Sequence, residues 1–250
     1  MGKREIEKSR PELSTLWGGE RMETKVKSVT KGVIWGAAKV GKTSLLLTLP
    51  PEETLVLDLE CGLKAVDGLA IDALEIRTWQ DARAIASYIG GINPGLPIND
   101  ISVPYSAAHV EAAKKRYEGK YDLSKYKYLF IDSITVASKL CKMWCERQPG
   151  AYNKEGKLDS RKIYGMIADE MIPWFRQLQH AKNMNIWFIG ILDKTTNDSG
   201  ETVYVPQMDG NQTKNSLAGI VDEILTLTIM HAKDKDGKDY NRRVFVTSLS

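Results

Sequence analysis

The octapeptide Gly36-Ala37-Ala38-Lys39-Val40-Gly41-Lys42-Thr43 constrains the fold more than any other stretch of this chain. It reads G-x-x-x-x-G-K-[ST], follows the apolar run Val33-Ile34-Trp35 and precedes Ser44-Leu45-Leu46-Leu47-Thr48-Leu49. That context gives the pattern its meaning, because a strand must deliver the loop and a helix must receive it. Gly36 and Gly41 can take backbone angles closed to other residues, so the loop can wrap with its N–H groups pointing inward. Those donors, added to the free N–H groups expected at the start of the next helix around Ser44, make a nest for phosphate oxygens. Lys42 is expected to reach the β- and γ-phosphates of a nucleoside triphosphate, and the Thr43 hydroxyl to ligate Mg²⁺. The plainer alternative, a glycine turn that happens to carry Lys-Thr, leaves the flanking strand and helix unexplained.

At 250 residues, with 42% hydrophobic and 27% charged side chains, the chain suits one large α/β domain with a sizeable core. A net charge of +3 excludes a polycation, so any anion-binding surface must come from local clustering. Cys61, Cys141 and Cys145 offer no metal set with a nearby His, and the reading is free thiols in a reducing cytoplasm. No signal peptide is expected at the charged N-terminus, and no run is apolar enough to span a membrane.

Residues 1–21 read as a mobile arm and residues 22–30 as an edge strand, with Lys31-Gly32 turning into the loop-bearing strand. Pro50-Pro51 ends the first helix. The run Leu55-Val56-Leu57-Asp58-Leu59-Glu60 then reads as a buried parallel strand closing in carboxylates, at the end where α/β ligand sites lie. Tyr128-Leu129-Phe130-Ile131-Asp132-Ser133 repeats the pattern, and Asp132 is the carboxylate expected beside the loop to hold Mg²⁺. Glu60 is the candidate to orient an attacking water. Three-to-four spacing predicts an amphipathic helix over residues 163–182, with a kink at Pro173. Residues 147–157 and 193–210 read as loops and residues 186–192 as a buried strand, while residues 224–230 and 242–249 form a terminal hairpin.

In these motifs and their order the chain resembles the RecA-like P-loop ATPases. More narrowly, it is similar to the short RecA-like single-strand annealing proteins of bacteriophages, the Sak type. The narrower resemblance rests on Asp132-Ser133-Ile134-Thr135, on Arg161 with Tyr164-Gly165, and on Pro206 and Gly210 ahead of Asp222. It implies a RecA-like core with a mostly parallel central sheet flanked by helices and a C-terminal antiparallel hairpin, over residues 22–250. It also implies ATP and Mg²⁺ as cofactors, DNA-dependent ATP hydrolysis with Lys42 and Glu60 as catalytic residues, and single-stranded DNA as the partner. Nucleotide bound between subunits would make a homo-oligomeric ring or filament, with a single-stranded-DNA-binding protein as a further candidate partner in a bacterial host cytoplasm.

Two departures from the family pattern stand out. Gly190-Ile191-Leu192 is apolar where recombinases often carry a polar γ-phosphate sensor, and no C-terminal basic segment reaching across a subunit interface is evident.

The charge pattern agrees with the expected loops. Residues 139–162 hold seven basic side chains against three acidic ones. Arg147, Tyr152, Lys154, Lys157, Arg161 and Lys162 are the candidate DNA contacts there, with Lys194 in the second loop. The rival readings are a P-loop ATPase acting on a protein partner, such as a helicase loader or assembly factor, and a small-molecule kinase.

Overall fold

The computed structural model describes residues 29–196, 199–233 and 235–247. The expected arm and most of the expected edge strand over residues 22–30 lie outside them.

Strand β1 (Lys31–Gly36) is buried along its whole length. It stands inside a sheet with β2 (Thr54–Asp58), β3 (Asp72–Glu75), β4 (Tyr128–Asp132), β5 (Asn185–Thr196), β7 (Glu223–Lys233) and β8 (Asp239–Thr247). The strand order is β3-β2-β4-β5-β1-β7-β8, and β6 (Thr202–Pro206) pairs with β5 off this path. Pairings β1–β5, β1–β7, β2–β3, β2–β4 and β4–β5 are parallel, while β5–β6 and β7–β8 are antiparallel. This is the mostly parallel α/β sheet with a terminal hairpin that the sequence implies, and it resembles the RecA-like P-loop core.

Alternation along the central strands builds two cores. Val33, Trp35, Leu55, Leu57, Leu129, Ile131, Ile186 and Phe188 share one cluster with side chains of α1 (Trp79–Gly90), α3 (Ile134–Cys145), α4 (Ser160–Gln179) and α5 (Asn211–Ile220). Ile34, Val56, Phe130 and Ile189 point to the other face, where Val40, Leu46 and Val66 cover them from the loop and two short 3-10 turns. Burial of each such large apolar side chain stabilises by about 1.5–3 kcal/mol. The helix α2 (Ala107–Tyr117) packs on α1 at the margin.

Sequence and structure differ in places. Lys31-Gly32 is strand, because Asp222 accepts a hydrogen bond from the Lys31 amide and Asp222 N in turn donates to Lys31 O. The amphipathic helix starts earlier than expected, at Ser160, because the Asp159 carboxylate caps the Arg161 and Lys162 amides. It also runs unbroken through Pro173 to Gln179. Residues 193–196 and 202–206 form the end of β5 and β6, an antiparallel pair, rather than a loop. The segment around Tyr152 is a loop, as expected, closed where Asn153 Oδ1 accepts from the amides of Glu155 and Lys157 and Tyr152 bridges to Leu158.

A candidate nucleotide site at the ends of β1, β2 and β4

The loop leaves β1 at Gly36. Gly36 keeps an ordinary strand conformation, and its need for glycine is steric: a Cβ there would lie 2.8 Å from the Leu227 carbonyl oxygen of β7. Gly41 has the conformational need, with φ of 101°, and Lys39 also takes a positive φ, of 63°. Ala37, Ala38 and Lys39 are exposed at the crest, whereas Val40 turns inward to the core. The helix expected after the loop is only a six-residue 3-10 turn (Thr43–Thr48) that includes Ser44, because Pro50-Pro51 stops it before an α-helical ladder can pay its nucleation cost.

Lys42 is 8% exposed and folds back over the loop, donating to Gly36 O at 2.9 Å and Ala37 O at 2.8 Å. Burial lowers its pKa, and the Asp132 and Glu60 carboxylates oppose that shift. Thr43 Oγ1 donates to Asp132 Oδ2 at 2.6 Å, so the two expected metal ligands are already side by side.

Asp132 is 3% exposed, and its pKa is pushed up to about 6. Burial is the largest cause, the Thr43 hydrogen bond and Lys42 pull it down, and Glu60 and Asp58 push it further up.

Glu60 sits just beyond β2, where Leu59 N donates to Asp132 O and extends the β2–β4 pairing by one bond. Its carboxylate accepts a hydrogen bond from the Ser133 hydroxyl. Ser133 also caps α3, so the residue after Asp132 orients Glu60 and starts a helix together. Sequence reasoning placed Glu60 near the site but missed Ser133 as its partner.

The hydroxyl and carboxylate at Thr43 and Asp132 match the hard-oxygen chemistry that Mg²⁺ prefers when it takes its remaining ligands from phosphates and water. Among the described residues no group of three His, Cys, Asp or Glu is arranged to hold a metal ion.

A family model described as an AAA domain matches residues 28–249. The chain belongs to that family. This AAA domain is therefore a P-loop ATPase domain. No curated protein matches the chain. Among solved structures, an ATPase from the type III secretion system of pathogenic bacteria is 13% identical, with a TM-score of 0.43. The match covers 80% of this chain and 51% of that one. The P4 protein from bacteriophage phi13 is 10% identical over 91% of this chain and 61% of its own, with a TM-score of 0.30. The AAA domain thus spans about half to three-fifths of these structures.

The remaining sequence candidates are split between elements. Arg147 follows α3, and Lys154 and Lys157 project from the Asn153 turn, with Lys157 paired to Glu155. Tyr152 is 40% exposed, and its carbonyl accepts from Lys162 Nζ at 2.7 Å. Lys194 stands on β5 opposite Tyr204 of β6, away from these residues in the chain and on a different element. Arg161 lines an open cleft of about 650 Å³ with Tyr164, Gly165, Gln212 and Lys214. Lys214 carried no expectation from sequence; only the packing of α5 on α4 brings it to Arg161. Cys141 and Cys145 are buried free thiols, as expected, and Trp79, Trp144, Trp174 and Trp187 pack into or against the core. None of the described helices is long and apolar enough to cross a membrane.

Proposed function

We propose that this AAA domain is a RecA-like ATPase that binds single-stranded DNA and promotes its annealing or strand pairing, as the resemblance to phage annealing proteins implies. The observation that carries the DNA reading is the cleft between α4 and α5. Arg161 and Lys214 line it together with Tyr164, which is 45% exposed. Cations that track a backbone beside an aromatic face are the chemistry of sequence-tolerant single-strand binding.

A structural route supports coupling of this cleft to nucleotide. Helix α3 begins at Ser133, beside Asp132, and one turn later Ser138 Oγ accepts from the Asp209 amide at 2.8 Å. Thr135 Oγ1 accepts from Ile191 N at 3.0 Å, so the same helix holds the strand that leads to β6. Asp209 and Gly210 form one wall of the cleft.

In the ATPase itself, the loop amides and Lys42 bind the phosphates, and Thr43 with Asp132 would hold Mg²⁺, which neutralises phosphate charge when bound. Glu60, held by Ser133, accepts a proton from a water near the last phosphate. Oligomerisation as a ring or filament belongs to the same reading.

The deciding experiment is the ATPase rate with and without single-stranded DNA across a salt series, with Lys42→Ala as the blank. Stimulation that fades with salt, and is lost in an Arg161→Ala/Lys214→Ala variant with unchanged basal rate, is the expected result. A rate indifferent to DNA, with no DNA retained in the presence of ATP, overturns the reading in favour of an ATPase acting on a protein partner.

A further inference from the structure

The β7–β8 hairpin brings an arginine onto the phosphate loop of its own chain. Gly36 pairs with Leu227 of β7, Leu227 pairs with Phe245 of β8, and Arg243 is paired with Ile229 two residues further toward the loop. Arg243 and Phe245, two apart on a strand, share a face. That register sets the Arg243 side chain beyond the end of β1, where the loop stands. The contact is direct: a Cβ placed on Gly41 would lie 2.9 Å from Arg243 Nε and 3.0 Å from its Cζ. A β-carbon at position 41 would push this guanidinium aside.

Charge gives the contact a purpose. Asp58 and Asp132 are paired across β2 and β4, and Glu60 follows two residues after Asp58, so three carboxylates gather at these strand ends. A nucleoside triphosphate brings several more negative charges to that place. Arg243 is exposed and makes no ion pair with any described residue, so its donors are available to a ligand. A guanidinium presents its N–H groups as a planar fork that fits phosphate oxygens bidentately. Lys42, by contrast, already gives two of its three donors to loop carbonyls.

We infer that Arg243 is a second phosphate-binding cation of the nucleotide site and that it acts on nucleotide held by its own subunit. The inference rests on the reading of residues 36–43 as a nucleotide loop. It assigns the terminal hairpin a part in ligand binding, where the sequence showed only an antiparallel pair.

The test compares wild type, Arg243→Ala and Arg243→Lys by titration with fluorescent ATP, ADP and AMP analogues. Loss of a charge-assisted contact to phosphate should weaken ATP binding by about 10–100-fold in the alanine variant. The lysine variant should fall between, and AMP binding should change least. Circular dichroism and the melting temperature should match wild type, since the side chain is exposed.

Subunit assignment is read by mixing Lys42→Ala protein with Arg243→Ala protein. Action within one subunit predicts that the mixture hydrolyses ATP no faster than its two components. Recovery of activity on mixing overturns the assignment, because it means that the arginine serves a neighbour's site. Wild-type ATP affinity in Arg243→Ala overturns the inference while leaving the nucleotide loop intact; wild type that binds no ATP removes both.

Discussion

Asp132 shows how one residue can be fitted to a ligand at a cost to the ligand-free fold. Its folded pKa of about 6 lies above the ordinary carboxylate value of 3.8, because burial outweighs the Thr43 hydrogen bond. The native protein therefore holds this proton more tightly than the unfolded chain does. Its contribution to stability is complete below about pH 4 and is lost as the pH rises through about 6. Above that pH the ionised, metal-free site costs about 3 kcal/mol relative to a neutral group. Asp132→Asn should thus melt roughly 6–12 °C above wild type at pH 8 in chelator, with the gap closing toward pH 4. An asparagine variant that melts below wild type at pH 8 would show that the carboxylate is stabilising there after all. Glu60 makes the complementary prediction. Glu60→Gln should bind ATP as wild type does and lose hydrolysis by about 100-fold or more, measured as single-turnover phosphate release. Unchanged turnover would remove Glu60 from the chemistry. Ser133→Ala should show a smaller loss of the same kind, since it frees the Glu60 carboxylate without removing it.

At the scale of elements, β1 and β5 are locked by two tryptophan–glycine exchanges that flank the loop-bearing strand. Gly32 is paired with Trp187 and Trp35 with Gly190. A Cβ on Gly190 would lie 2.1 Å from the Trp35 ring, and one on Gly32 would lie 2.3 Å from the Trp187 ring. The apolar Gly190 that departs from the recombinase pattern therefore has a packing reason: the indole of Trp35 lies over it. Gly190→Ala should destabilise by about 1–3 kcal/mol, read as a lower denaturant midpoint, and Trp35→Leu in the same chain should restore part of the loss. Equal midpoints for wild type and the single variant would show that the strands shift apart freely. The other telling element is α3, whose cap and first two turns carry Ser133, Thr135 and Ser138, bonded in turn to Glu60, Ile191 and Asp209. Ser138→Ala should leave basal hydrolysis unchanged and reduce its stimulation by DNA, if the helix relays occupancy between the two sites.

Across the whole molecule, the sheet order sets Glu60 and Asp132 at the ends of adjacent strands, with the loop on β1 one strand further along beyond β5, and α4 against α5 makes the cleft that carries Arg161, Tyr164 and Lys214. Each phosphate contact by a single strand contributes about −0.7 to the slope of log affinity against log salt. Removing Arg161 and Lys214 together should flatten that slope by about 1.4, measured by fluorescence anisotropy on a labelled oligonucleotide. A variant with the wild-type slope would place the DNA path elsewhere. The loop of residues 36–43, the strand-end carboxylates Glu60 and Asp132 and the α/β alternation were all legible in the chain, because each is a local pattern: glycines, an apolar run, an acidic stop. Hydrophobic periodicity likewise located α4, whose start lies three residues earlier than expected because the Asp159 cap decided it. What the sequence could not express was adjacency across strands. The Ser133–Glu60 hydrogen bond, the meeting of Lys214 with Arg161, the tryptophans stacked on glycines and the placement of Arg243 over Gly41 all depend on register and strand order. Those are fixed only when distant segments pack, since a side chain's partner is set by which strand lies next to its own and not by its neighbours along the chain.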